Sequence, residues 1–217
     1  GTIGINAGPN SGGVDSWHAV IKGKGGHGAH PDKTIDPFYM LAHVIMALNG
    51  IVSRRLNPFA PPVVSIGSIH GGFTENVIPE EVKITGTLRF TDESVHQQIH
   101  AEIKRAFDIV KVLGGDYEIK YEIGGPPMIN DKYVSEVIEK TGKDLLGGGN
   151  VGEIEKTLGA EDFGEFMKHA PGAMFTLGTQ KAGHEEYLLH HPKFDIDERA
   201  MPIGTAMLAE TAKRFLE

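Results

Sequence analysis

The 217-residue chain contains no cysteine, which excludes disulfides and thiolate metal ligands and leaves stability to packing alone. No apolar run approaches the roughly 20 residues of a membrane-spanning helix, and no stretch is rich in lysine and arginine. With 21 basic against 29 acidic residues the formal net charge is -8, which disfavours a phosphate backbone as a partner. Aromatic residues are few, at 7% with a single tryptophan. The histidine patterns H-x-H and H-E-x-x-H, which mark many metal centres, are missing too. What remains is a globular protein with no nucleic acid and no membrane among its expected partners, and the expected address is cytoplasmic. Residues Gly1 to Ile5 lack the basic start and apolar stretch of a signal peptide and read as an internal position of a longer chain.

The residues present follow two grammars. Val14 to Lys22 alternates as a strand, with Asp15, Trp17, Ala19 and Ile21 on one side. Asp36 and Pro37 form an N-cap followed by a first-turn proline, and Phe38, Leu41, Val44, Leu48 and Ile51 then recur at helical spacing. Val63 to Ile69 and Val82 to Phe90 read as strands. A second helix capped by Thr91 or Asp92 follows, with Val95, Ile99, Ile103, Phe107 and Val110 in line, and Tyr117 to Ile123 alternates as a last strand. The order β-α-β-β-α-β predicts a ferredoxin-like split βαβ sandwich. Gly124 to Pro127 reads as a linker.

Beyond it the pattern predicts helices over 133–146, 160–169 and 198–216 and one buried strand over 173–177. That is too little to close a sheet, so this part is expected to pack on a sheet supplied from elsewhere. The fold class is therefore α/β: an α+β domain over 14–124, residues 1–13 as the end of a preceding segment, and 125–217 as the last part of a second domain.

Several positions could carry chemistry. Gly23 to Gly28 matches G-x-G-x-x-G, but it opens no helix directly and is followed by no second parallel strand with an acidic end, so nucleotide binding is disfavoured. The same loop offers His27 as a hydrogen-bond donor to a developing oxyanion, the alternative being a loop histidine without a task. Asn76 on a turn and Arg89 on a strand could hold an amino-acid-like substrate, or could be a turn residue and a surface charge. Glu161 and Asp162 precede an apolar residue, where capping explains them as well as substrate contact does. His190 and His191 are consecutive, so in an extended stretch only one would meet a given metal, and Asp195 with Glu198 fits a capping box.

Taken in order, Gly1 to Gly4, Gly23 to Ala29 with Asp36 and Pro37, Gly72 to Pro79, Gly86 to Arg89, Pro126 to Asp131, Glu161 to Phe163 and Leu189 to Asp195 resemble the dimetal aminoacylase and carboxypeptidase family. The resemblance is nearest to the hippurate hydrolase and indole-acetyl-amino-acid hydrolase branch. It implies a lid and dimerisation domain inserted into a zinc-peptidase-like catalytic domain of which this chain holds only the C-terminal part. It implies that His190 is a metal ligand, that His27 reaches the partner subunit's active site as an oxyanion donor, and that Asn76, Arg89 and Glu161 face substrate.

The implied cofactor is a divalent metal, two ions per complete site, with zinc first and manganese, cobalt or nickel as alternatives. The implied activity is hydrolysis of the amide bond of N-acyl amino acids or peptides by a homodimer. The family's other ligands and its glutamate general base lie upstream of the position matched by Gly1, so a missing N-terminal catalytic segment is expected and the 217 residues alone are expected to be inactive. The rival expectation is a non-catalytic dimerisation or small-molecule-binding module with a vestigial metal residue.

Overall fold

The computed structural model describes residues 1–59 and 62–217, which divide into two compact units. One comprises residues 11–127 and 158–162, the other 1–10, 128–157 and 163–217.

The first unit holds a four-stranded antiparallel sheet with two helices on one face. Its elements are β1 (Gly13–Lys22), α1 (Pro37–Arg54), β2 (Val63–Gly71), β3 (Glu81–Phe90), α2 (Glu93–Val112) and β4 (Asp116–Ile123). The sheet order β2-β3-β1-β4 is the split βαβ sandwich that the sequence predicts. Alternation decides the faces: Trp17, Ala19 and Ile21 of β1 and Val82, Ile84, Leu88 and Phe90 of β3 are buried against Leu41, Val44, Leu48 and Ile51 of α1 and Ile99, Ile103 and Phe107 of α2.

Asp36 caps α1 by accepting from the Phe38 N–H at 2.8 Å, and Asp92 caps α2 by accepting from the Ser94 N–H at 2.8 Å. Trp17 lies opposite Gly86 in the register. A Cβ at Gly86 would stand 2.3 Å from Trp17 Cζ2 and 2.2 Å from the Ser65 carbonyl oxygen, so only glycine lets the indole lie flat on β3.

The second unit differs from its sequence reading. Its sheet has three short strands: Ile3–Gly4 lies in the middle, pairing in parallel with Val151–Gly152 and antiparallel with Thr176–Leu177. The chain's own first residues thus supply the central strand of that sheet. Ile3, Ile5, Ile138 and Met207 form its core. The buried Asn130 side chain donates to the Asn6 and Met174 carbonyl oxygens and accepts from the Met174 N–H, substituting for a ladder where strands are too short to make one.

Helix α3 (Lys132–Leu146) forms as expected. The next helix, α4 (Phe163–Met167), is half its expected length, and the strand over 173–177 contracts to its last two residues. Residues 198–200 form a 3-10 turn that leads into α5 (Met201–Leu216), which puts Pro202 in the first turn, where its missing N–H costs nothing. Asp195 and Glu198 make no capping box; the cap is Asp197, which accepts from the Arg199 N–H, while Asp195 pairs with Lys181.

Candidate functional site

After β1 the glycine loop does not enter a helix. Gly26–His27 instead pairs antiparallel with Val77–Ile78, with His27 opposite Val77, and the Gly28 N–H donates to the Asn76 carbonyl oxygen at 2.8 Å. The ribbon is tight, for a Cβ at Gly25 would lie 2.8 Å from the Ile78 carbonyl oxygen. His27 and Asn76, 49 positions apart in sequence, are thereby neighbours at one end of the sandwich, both exposed.

The Ala29 N–H donates to Nδ1 of His27 at 3.0 Å. A nitrogen that accepts carries no proton, so the neutral ring holds its hydrogen on Nε2, which projects as a donor. His30 sits beside it, with ring centroids 5.6 Å apart.

Arg89 occupies the opposite end of β3, where it pairs with Val14 and Val63. The strand from Glu81 to Arg89 spans about 27 Å at ~3.4 Å per residue, so Arg89 and the His27–Asn76 ribbon cannot touch one small molecule within one copy of this domain. Glu161 is exposed and lies at the Arg89 end: its carbonyl oxygen neighbours Gly125, whose own carbonyl accepts from the Val14 N–H at 2.9 Å.

The two consecutive histidines are not extended. His190 has φ 69°, the left-handed region that a side-chain-bearing residue rarely adopts. His191 is committed locally, with Nδ1 accepting from the Lys193 N–H at 3.1 Å and its ring stacked on Tyr187 at 4.5 Å. The His190 ring is exposed and has no hydrogen-bond partner among the described residues. Later in the sequence, hydrogen bonds from the Arg199 side chain and backbone hold the Asp197 carboxyl down to about 2.

Among the described residues one group of three metal-ligating side chains converges, and it is not around His190. It consists of Asp15 on β1 with His96 and His100 on α2. Burial alone would raise the Asp15 carboxyl, but hydrogen bonds from His96, the Gly124 N–H and His100 outweigh it and hold the group below the usual carboxylate range. Burial would likewise lower His96, yet its bonds to Asp15 and Glu93 raise it. Tyr121, beside them, is pushed up to about 12 by burial and by the Asp15 charge.

Residues 11–112 match the Peptidase dimerisation domain family. The chain carries an M20 peptidase dimerisation domain. It is similar to an N-acetyl-L-cysteine deacetylase of Bacillus subtilis, 34% identical over an alignment of 222 positions that covers 100% of this chain and 51% of that protein. It is also similar to an IAA-amino acid hydrolase of Arabidopsis thaliana, 32% identical over an alignment of 222 positions that covers 100% of this chain and 50% of that one. A solved structure of a Bacillus subtilis dinuclear metal binding peptidase from the M20 family matches with TM-score 0.77 and 29% identity, over 97% of this chain and 52% of that chain. The chain thus spans about half the length of the relatives it matches. No helix among the described residues is long and apolar enough to cross a membrane.

Tested against a divalent metal, the donors here fit in part. His190 presents an uncommitted imidazole, a ligand suited to zinc, nickel or iron, and the described residues around it complete no set of three.

Proposed function

We propose that this chain is the lid and C-terminal catalytic portion of a metal-dependent amidohydrolase that cleaves the amide bond of N-acyl amino acids or short peptides. The inserted lid is residues 14–124, flanked by the end of an N-terminal catalytic segment over 1–13 and a C-terminal catalytic part over 125–217. The observation that carries the reading is the ribbon joining His27 to Asn76. There the Ala29 N–H claims Nδ1 of His27 and leaves the proton of the neutral ring on Nε2, and the ribbon follows the Glu81 end of a strand that carries Arg89 about 27 Å away at its other end. A substrate held by Arg89 of one copy can meet a His27 only if a second copy supplies it, which is the arrangement expected of a homodimer with shared sites.

The residues take these roles. Arg89 offers a planar fork to the substrate carboxylate, with Glu161 at the same end of the domain. Asn76 steadies the acyl side through its amide. Nε2–H of His27 donates to the scissile carbonyl oxygen as that oxygen gains charge, a contact that strengthens towards the transition state. His190 would be one ligand of the divalent metal, zinc first, whose Lewis acidity polarises the amide. The remaining ligands and a glutamate base come from polypeptide outside this sequence.

The test uses the full-length protein and hippurate-like substrates. Homodimers of His27→Ala and of His190→Ala should each lose at least about 100-fold in turnover. Because sites in a two-fold dimer are shared reciprocally, an equal mixture re-associated from the two should recover about a quarter of wild-type activity. No recovery overturns the shared site. A wild type inactive with every divalent metal tried leaves the non-catalytic module as the reading.

A further inference from the structure

We propose that Asp15, His96 and His100 form a divalent-cation site in the dimerisation domain, with zinc as its ion, that ties β1 to α2. The proposal stands whether or not the hydrolase reading holds. His96 and His100 are four residues apart on α2, so their imidazoles leave one face of the helix a turn apart, the spacing that lets a helix offer two nitrogens to one ion. Asp15 meets them from the sheet. Its Oδ2 lies 2.5 Å from Nε2 of His96 and 2.7 Å from Nε2 of His100, and the three donor atoms all fall within 4.8 Å of one another.

The surroundings hold these donors in place. Asp15 is 1% exposed, and its other oxygen accepts from the Gly124 N–H at 3.1 Å, which fixes the carboxylate plane. His96 stacks on Phe90 with centroids 4.3 Å apart, and His100 stacks on Tyr121 at 4.1 Å. Nδ1 of His96 lies 3.0 Å from Oε1 of Glu93. A carboxylate in that outer position accepts the Nδ1–H hydrogen bond and leaves the Nε2 lone pair for a metal, as in many zinc sites.

A tetrahedral ion with bonds of ~2.1 Å spaces its donors by about 3.4 Å. Oδ2 of Asp15 therefore needs to draw back from each imidazole by less than about 1 Å to admit it. The His100 side chain is 22% exposed, so solvent can reach a fourth position. Two imidazoles and one carboxylate suit zinc rather than calcium or magnesium, which take oxygen donors. On binding, each Nε2–H hydrogen bond to Oδ2 is replaced by a nitrogen–metal bond. Doubly protonated His96 releases its Nε2 proton to solvent and keeps the one on Nδ1 against Glu93, while neutral His100 gives up its Nε2 proton and takes one on Nδ1, which is its other tautomer.

The experiment is a titration of the chelator-stripped chain with zinc chloride, followed by calorimetry and thermal melting, in wild type, His100→Gln and His190→Gln. Zinc should bind the wild type and raise its Tm. His100→Gln should weaken that binding at least about tenfold, whereas His190→Gln should leave the zinc at Asp15, His96 and His100 in place and lower only binding at the site proposed for hydrolysis. Unchanged affinity in His100→Gln, or loss in His190→Gln alone, overturns the proposal. Should His100→Gln fail to fold, zinc anomalous scattering from wild-type crystals decides. A peak bounded by Asp15, His96 and His100 supports the site, and a peak only at other histidines, or none, removes it.

Discussion

At the scale of single residues, what an imidazole can do here is set by which of its nitrogens the backbone has already claimed. Nδ1 of His191 accepts from the Lys193 N–H, while the ring of His190 has no such partner among the described residues. Nδ1 of His27 is claimed and Nε2 is left as the donor. The Asp15 group makes the same point with charge. Its lowered carboxyl contributes stability that is present above the unfolded value near ~3.9 and is lost as pH falls through the folded value. The raised His96 contributes stability that is full below ~6.5 and is lost as pH rises through its folded value.

Without metal, the stability difference between wild type and Asp15→Asn should therefore be widest between about pH 4 and 6.5 and shrink on both sides. Denaturation midpoints measured across pH with chelator present check this, and a difference that does not vary with pH rejects it. Asp15, Glu93 and His100 are the titratable groups facing His96, and Tyr121 stacks on His100 behind them. The His96–His100 spacing is visible in the sequence, but the third donor lies 81 positions upstream of His96. Nothing in a strand's alternation says which helix residue its acidic member will meet.

At the scale of elements, periodicity reads out what is long enough to have a period. The four strands and two helices of the first unit run from 8 to 20 residues, and each was legible from its spacing and cap. Strands of two residues carry no period, so the ribbon bringing His27 beside Asn76 and the Ile3–Gly4 centre of the other sheet were not. The choice of Asp197 over Asp195 as a cap turned on which carboxylate a lysine had taken. Where an element is well formed, its tolerance is narrow: Gly86→Ala drives a Cβ against both the Trp17 ring and the backbone of β2. We expect a loss of about 1–3 kcal/mol, typical of overpacking, measured as a lower urea midpoint by circular dichroism. An unchanged midpoint would show that β2 and β3 part easily.

At the scale of the whole molecule, the two copies proposed from the separation of His27 and Arg89 need a flank on which to meet. The outer edge of β2 has no strand partner among the described residues, and α1 beside it exposes Tyr39 and Met46. Ile69, near the end of that strand, is 43% exposed. A charge placed there by Ile69→Lys together with Met46→Glu should turn the dimer into monomers in sedimentation and abolish turnover by the full-length protein. A dimer that persists moves the interface elsewhere. The chain has one tryptophan, and Trp17 is wholly buried in the unit of residues 11–127 and 158–162. Its fluorescence consequently watches that unit alone and is blind to the other. Comparing emission with a probe of total helix during unfolding would then show whether the two units come apart together or in turn.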